Sequence, residues 1–158
     1  MRIAHVVLMV PVTQEEVDRL VAELEPNVDD EAKLEALGVK AYTKFFTATP
    51  QHIDLFRRVR GMDLDHAIQS DGIKYYGRNA MERVLKFIRA SADEQKLTEV
   101  LDEMGKLHQK WNVTKSDFLS GEPSFTEFFK SVPQITENKD TMEKIMKHFF
   151  QIVSEYLE

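Results

Sequence analysis

The chain has 158 residues, a hydrophobic fraction of 42% and a net charge of −6 at neutral pH, which suits one domain with a single sizeable core. An acidic chain of this kind lacks the clustered lysine and arginine that a nucleic-acid surface needs. It contains no cysteine, so disulfides, thiolate catalysis, cysteine-based zinc sites and cofactor attachment through paired cysteines are excluded.

Residues 1–12 carry Arg2 before a short apolar run. His5 interrupts that run, and Pro11 and Val12 stand where a cleavage site would need small residues. We read them as an N-terminal extension ahead of a domain over 13–158, and expect a cytoplasmic protein. No segment is long enough to span a membrane.

From Thr13 onward the apolar residues recur at helical spacing. Thr13 and Glu16 form a capping box ahead of a stripe of Val17, Leu20, Val21 and Leu24. Pro26 and Asn27 break it, and Asp29 and Asp30 offer the next cap. Leu34, Leu37, Gly38, Ala41, Phe45 and Phe46 continue the period to Thr49-Pro50. A short segment runs from Pro50 to Phe56, and a loop surrounds Gly61.

The next helix is long. Ile73, Tyr76, Gly77, Ala80, Met81, Val84, Phe87 and Ile88 share one face of it. After a break at residues 90–93, Leu97, Val100, Leu101, Met104 and His108 share another. Thr114 to Asp117 read as a turn and cap. Phe118 to Val132 is apolar and aromatic, and Pro123 bends that helix or marks a late start for it. Met142, Ile145, Phe149, Ile152, Val153 and Tyr156 stripe the last helix. No strand pattern and no repeat occurs, so the fold class is all-α, with six to eight helices.

Five histidines are present. His108 alone continues an apolar face and stands just before a helix stop. One histidine cannot build a zinc site, which needs three or four protein ligands. It can hold a haem iron, because the porphyrin supplies the four equatorial nitrogens. A lone ligand histidine in a cysteine-free, all-helical, aromatic-rich chain therefore favours non-covalently bound haem over other metal centres.

The stretch Met104-Gly105-Lys106-Leu107-His108, with Val113 and Phe118 after it, resembles the proximal segment of the globin family. Upstream, Pro50 and Phe56 match that family's proline and haem-stacking phenylalanine. Tyr76-Gly77 stands where most globins carry a distal histidine and glycine. The resemblance spans Thr13 to Tyr156. With Tyr42 on the second helix, the distal tyrosine pair is similar to that of trematode haemoglobins, as are the stretches Lys40-Ala41-Tyr42 and Ser120-Gly121-Glu122-Pro123.

The resemblance implies a globin fold around haem b (iron protoporphyrin IX), with His108 as the proximal iron ligand through Nε2. Leu107 cannot accept the Nδ1 proton, so the expected acceptor is a backbone carbonyl one turn back, at or near Met104. Phe56 and Phe118 would pack on the porphyrin, with Met104 and Val113 on the proximal side. Tyr42 and Tyr76 would donate hydroxyl hydrogen bonds to bound oxygen, Tyr76 being the one expected to swing outward. Ala80, where larger aliphatic residues are usual, would widen the distal pocket. Arg58, Lys74 and Arg78 are candidates for the propionates.

The implied function is reversible, high-affinity oxygen binding for transport, storage or scavenging, by a non-enzyme that is a monomer or weak homo-oligomer. The alternative is a haem enzyme on the same frame, a peroxidase or nitric oxide dioxygenase.

Overall fold

A computed structural model describes residues 10–158. Most of the stretch read as an N-terminal extension, residues 1–9, lies outside the described residues. The described residues form eight α-helices and no strand. Each helix begins and ends for a local reason. Thr13 accepts from the Glu16 N–H at 3.1 Å and donates its own N–H to the Glu16 carboxylate at 3.0 Å, which completes the capping box ahead of α1 (Gln14–Leu24). Asp30 caps α2 (Glu31–Ala48), and Pro50 starts a 3-10 segment to Leu55. Asp63 caps the short α3 (Leu64–Ile68), Ser70 caps α4 (Asp71–Ala90) and Asp93 caps α5 (Glu94–Lys110).

The region expected to be a helix bent at Pro123 or starting late there is two helices, the second starting at that proline. Thr114 caps α6 (Lys115–Ser120). Gly121 separates it from α7 (Glu122–Lys130), and Pro123 sits in the first turn of α7, where its missing N–H costs nothing. The last helix is α8 (Lys139–Ser154). Helix α4 is the spine: α1, α2, α3 and α5 all pack on it, while α7 and α8 close the other side. The stripes on α1, α2 and α5 are buried apart from Val21 and His108, which are half-buried. On α4 the face divides. Ile73, Gly77, Met81, Phe87 and Ile88 are buried, whereas Tyr76, Ala80 and Val84 are only half-buried because they line a cavity.

The α2–α4 crossing is set by two glycines. A Cβ placed on Gly77 would lie 2.7 Å from the backbone carbon of Gly38, and one placed on Gly38 would overlap the Gly77 carbonyl. The two backbones therefore touch directly. Tyr42 lies one turn beyond Gly38 and Tyr76 is the neighbour of Gly77, so this crossing brings both tyrosine rings together, with centroids 6.3 Å apart.

Glu23 on α1 clips the loop ahead of α8. Its carboxylate accepts from the Thr136 N–H (3.0 Å) and hydroxyl (2.9 Å), the Glu137 N–H (3.2 Å), and the Asn138 N–H (3.0 Å) and side-chain amide (2.7 Å). Partial desolvation disfavours the charge, but the donors from Asn138, Thr136 and Glu137 outweigh it and lower the pKa to about 2. A group with a depressed folded-state pKa stabilises the fold above its ordinary value of 4.5, and that contribution fades as the pH falls toward 2. Glu23→Gln is expected to lower unfolding stability at pH 7 by about 1–2 kcal/mol, after discounting for solvent screening. The difference from the parent should shrink through that acid range in denaturant titrations. Parallel acid profiles for the two chains would show that the clip contributes nothing.

Candidate functional site

The cavity has a volume of about 780 Å3 and is walled by α2, α4, α5, α6, α7 and α8. His108, in the last turn of α5, lines it. The ring nitrogen Nδ1 lies 2.8 Å from the Met104 carbonyl. A carbonyl only accepts, so Nδ1 carries the proton and Nε2 keeps its lone pair. Burial pushes the imidazole pKa down; the bond to Met104 opposes this and nearby Arg83 adds to it. The ring is thus neutral at physiological pH, as a metal-ligating histidine must be.

Rings on two sides fix the imidazole. Phe118 stands edge-on with centroids 4.8 Å apart, and Trp111 stands edge-on at 5.2 Å. The helix itself is held from outside the cavity. The Tyr156 ring lies flat against Gly105, where a Cβ would overlap it. Its hydroxyl donates to Asp102 at 3.0 Å, and the Gln109 amide donates to the Tyr156 carbonyl at 3.2 Å.

Tyr42 lines the cavity from α2. Its ring is enclosed by Phe45, Phe46, Phe56, Tyr76 and Phe125, with centroids between 5.5 and 6.4 Å. Burial pushes the phenol pKa up, so the hydroxyl stays protonated, and it makes no hydrogen bond among the described residues. Tyr76 also lines the cavity, but its hydroxyl accepts from the Arg58 backbone N–H at 3.0 Å. That bond holds Tyr76 at the rim and leaves its own proton free to donate.

Most of the other residues singled out from sequence converge here as well. Phe56, Ala80, Met104 and Val113 all line the cavity. Arg58 reaches its mouth, with the guanidinium 3.7 Å above the Tyr75 ring. Lys74 and Arg78 do not line it; they are exposed and lie 3.9 Å from Asp71 and 4.0 Å from Glu82. The reason is helical phase. The cavity face of α4 is Tyr76, Ala80 and Arg83, and positions 74 and 78 point elsewhere. Arg83 is absent from the sequence-based candidates, although it lies seven residues after Tyr76 on that same face. Phe125, Phe149 and Phe150 complete the apolar wall.

Among the described residues no group of three or more histidine, aspartate or glutamate side chains could hold a metal ion. Any metal here must bring most of its own ligands. A largely apolar chamber of this volume, with one oriented imidazole and few polar groups, has the character of a cofactor pocket.

The globin family model matches residues 39–156. This chain belongs to the globin family. It is 34% identical over 139 residues to a globin of the trematode Isoparorchis hypselobagri, covering 87% of this chain and 93% of that protein. It is 35% identical over 144 residues to a globin of the trematode Dicrocoelium dendriticum, covering 91% and 94%. The fold is similar to that of ferric myoglobin from Aplysia limacina with bound azide, with a TM-score of 0.77 at 18% identity over 91% of this chain and 97% of that one. No helix among the described residues is long and apolar enough to cross a membrane.

Proposed function

We propose that this globin holds haem b in the cavity through His108 Nε2 and binds oxygen reversibly and tightly, with Tyr42 as the main hydrogen-bond donor and Tyr76 as a second. One observation carries the reading. His108 has its Nδ1 proton committed to Met104 and its other nitrogen free, in the same apolar chamber that presents the unpartnered Tyr42 hydroxyl. Ferrous haem supplies the iron that takes up oxygen. This chain would supply the His108 nitrogen to the iron, aromatic walls around it, and hydroxyl protons for a ligand with partial negative charge. Phe56 and Phe118 flank the chamber, Val113 and Met104 line it near His108, and Arg58 stands at its mouth for a propionate.

The role is oxygen transport, storage or scavenging rather than catalysis. Peroxidase chemistry favours an acid–base group that titrates near neutrality. The cavity wall offers no histidine besides His108 among the described residues, and the Tyr42 phenol is pushed away from neutrality.

A charge-assisted hydrogen bond is worth roughly 1.5–3 kcal/mol, which is about a tenfold to hundredfold change in affinity. Tyr42→Phe is therefore expected to speed oxygen release by about that factor in flow or flash experiments, with the Soret band retained. Tyr76→Phe should have the smaller effect, because its oxygen already serves the Arg58 amide. Release unchanged in both variants would overturn the distal assignment.

A further inference from the structure

Helix α6 has only six residues, yet it carries Phe118, the ring that stands edge-on to His108 at 4.8 Å. So short a helix is not held by its own hydrogen bonds, and its place depends on what grips it from outside. Two side chains from α2 and the 3-10 segment do so. Phe45 reaches the end of α6, where a Cβ on Gly121 would lie 3.3 Å from the Phe45 ring. His52 reaches its first turn, where Nε2 lies 3.5 Å from Oδ1 of Asp117.

His52 is buried at 8% exposure and packs against the Phe45 ring, with centroids 5.6 Å apart. Its Nδ1 is buried and has no hydrogen-bond partner. An unpaired polar nitrogen among aromatic rings disfavours the fold, and an apolar residue of that size would avoid the penalty. What the imidazole provides instead is Nε2. A carboxylate only accepts, so Nε2 carries the proton that faces Asp117. Asp117 is the only carboxylate on the cavity wall among the described residues, and His52 is its only side-chain partner there. His52 does not itself line the cavity, whereas Asp117, Phe45 and Phe118 all do. Phe45 also flanks the Tyr42 ring at 6.4 Å, so one buried imidazole touches supports of both His108 and Tyr42.

We propose that His52 is a positioning residue for this cavity: through Asp117 and Phe45 it fixes α6, and so holds Phe118 against the His108 imidazole. The proposal rests on the reading of the cavity as a haem site. A group that directly orients a metal-bound histidine is worth about 10–100-fold in affinity. His52 acts one residue further out, and its loss is worth about three- to tenfold on the same scale.

The test uses the full, haem-loaded chain and the variants His52→Leu, Asp117→Leu and their double, with His52→Gln as the conservative change. Transfer of haemin to an excess of an acceptor apoprotein is expected to speed up about three- to tenfold in either single leucine variant. The double variant should be no worse than the more severe single one, because both changes break the same contact. The iron–histidine stretching band of the reduced chain, followed by resonance Raman spectroscopy, should shift or broaden in His52→Leu. His52→Gln should restore most of the parental band and retention, since its amide can still donate to Asp117. Haemin loss that simply adds up in the double variant overturns the proposal. So does a parental Raman band in a His52→Leu chain of lowered unfolding stability, which leaves His52 a structural role alone. Where His52→Leu is too unstable to load, Asp117→Asn keeps the side-chain size and removes only the charge facing Nε2; it should move the band too, and an unmoved band overturns the proposal. A parent chain that shows no Soret band with haemin overturns the haem reading instead, which separates the two failures.

Discussion

His108→Ala is expected to abolish stable haem retention while the helices remain. Disturbing only a group that orients a metal-bound histidine costs about 10–100-fold in affinity, so removing the histidine itself should exceed a hundredfold. The cavity offers no replacement, because no second histidine lines its wall among the described residues. Trp111 is the only tryptophan, and it lies against the His108 ring. Its fluorescence should fall as haemin is titrated into the parent chain, to a sharp end point, and should fall weakly and without one in the variant. Free imidazole added to His108→Gly should restore part of the Soret band. A His108→Ala chain that keeps its haem and its spectrum would mean that another residue holds the iron.

Gly77→Val is expected to be the most damaging substitution away from the ligand. Even the first added carbon would lie 2.7 Å from the Gly38 backbone carbon and the same distance from the Val39 nitrogen. Backbone cannot move aside as the end of a flexible side chain can, so α2 and α4 must separate. Overpacking of well-packed positions costs about 1–3 kcal/mol and occasionally more. A clash between two helix backbones belongs at the upper end, and we expect about 3 kcal/mol or more in denaturant unfolding. Because Tyr42 and Tyr76 ride on these two helices, oxygen release should also accelerate in whatever fraction folds. A stable Gly77→Val chain with parental release kinetics would contradict a crossing set by backbone contact.

The sequence is most legible where one helix face does one job. Leu97, Val100, Leu101, Met104 and His108 form a single stripe on α5, and the bond from Nδ1 to the Met104 carbonyl follows from the absence of any acceptor at Leu107. Thr13, Asp30 and Thr114 are caps whose chemistry is local. Features that depend on pairs of elements, or on very short ones, are not legible. Helix α3 has five residues, too few to show a period. The fit of Gly38 against Gly77 exists only once two helices cross. The cavity face of α4 is visible as spacing, yet charge type alone favours Lys74 and Arg78, and only helical phase selects Arg83.

The contact between Tyr156 and Gly105 carries a consequence for how this site can drift. The helix that presents the His108 imidazole hangs from a side chain that is absent from the cavity wall. Exchanges at Tyr156, Asp102 or Gln109 would shift the imidazole like a lever acting through a distant fulcrum. On the proposed role of His108, affinity for an iron would therefore be adjustable from behind the cavity wall, at positions that a comparison of pocket residues alone would pass over as neutral.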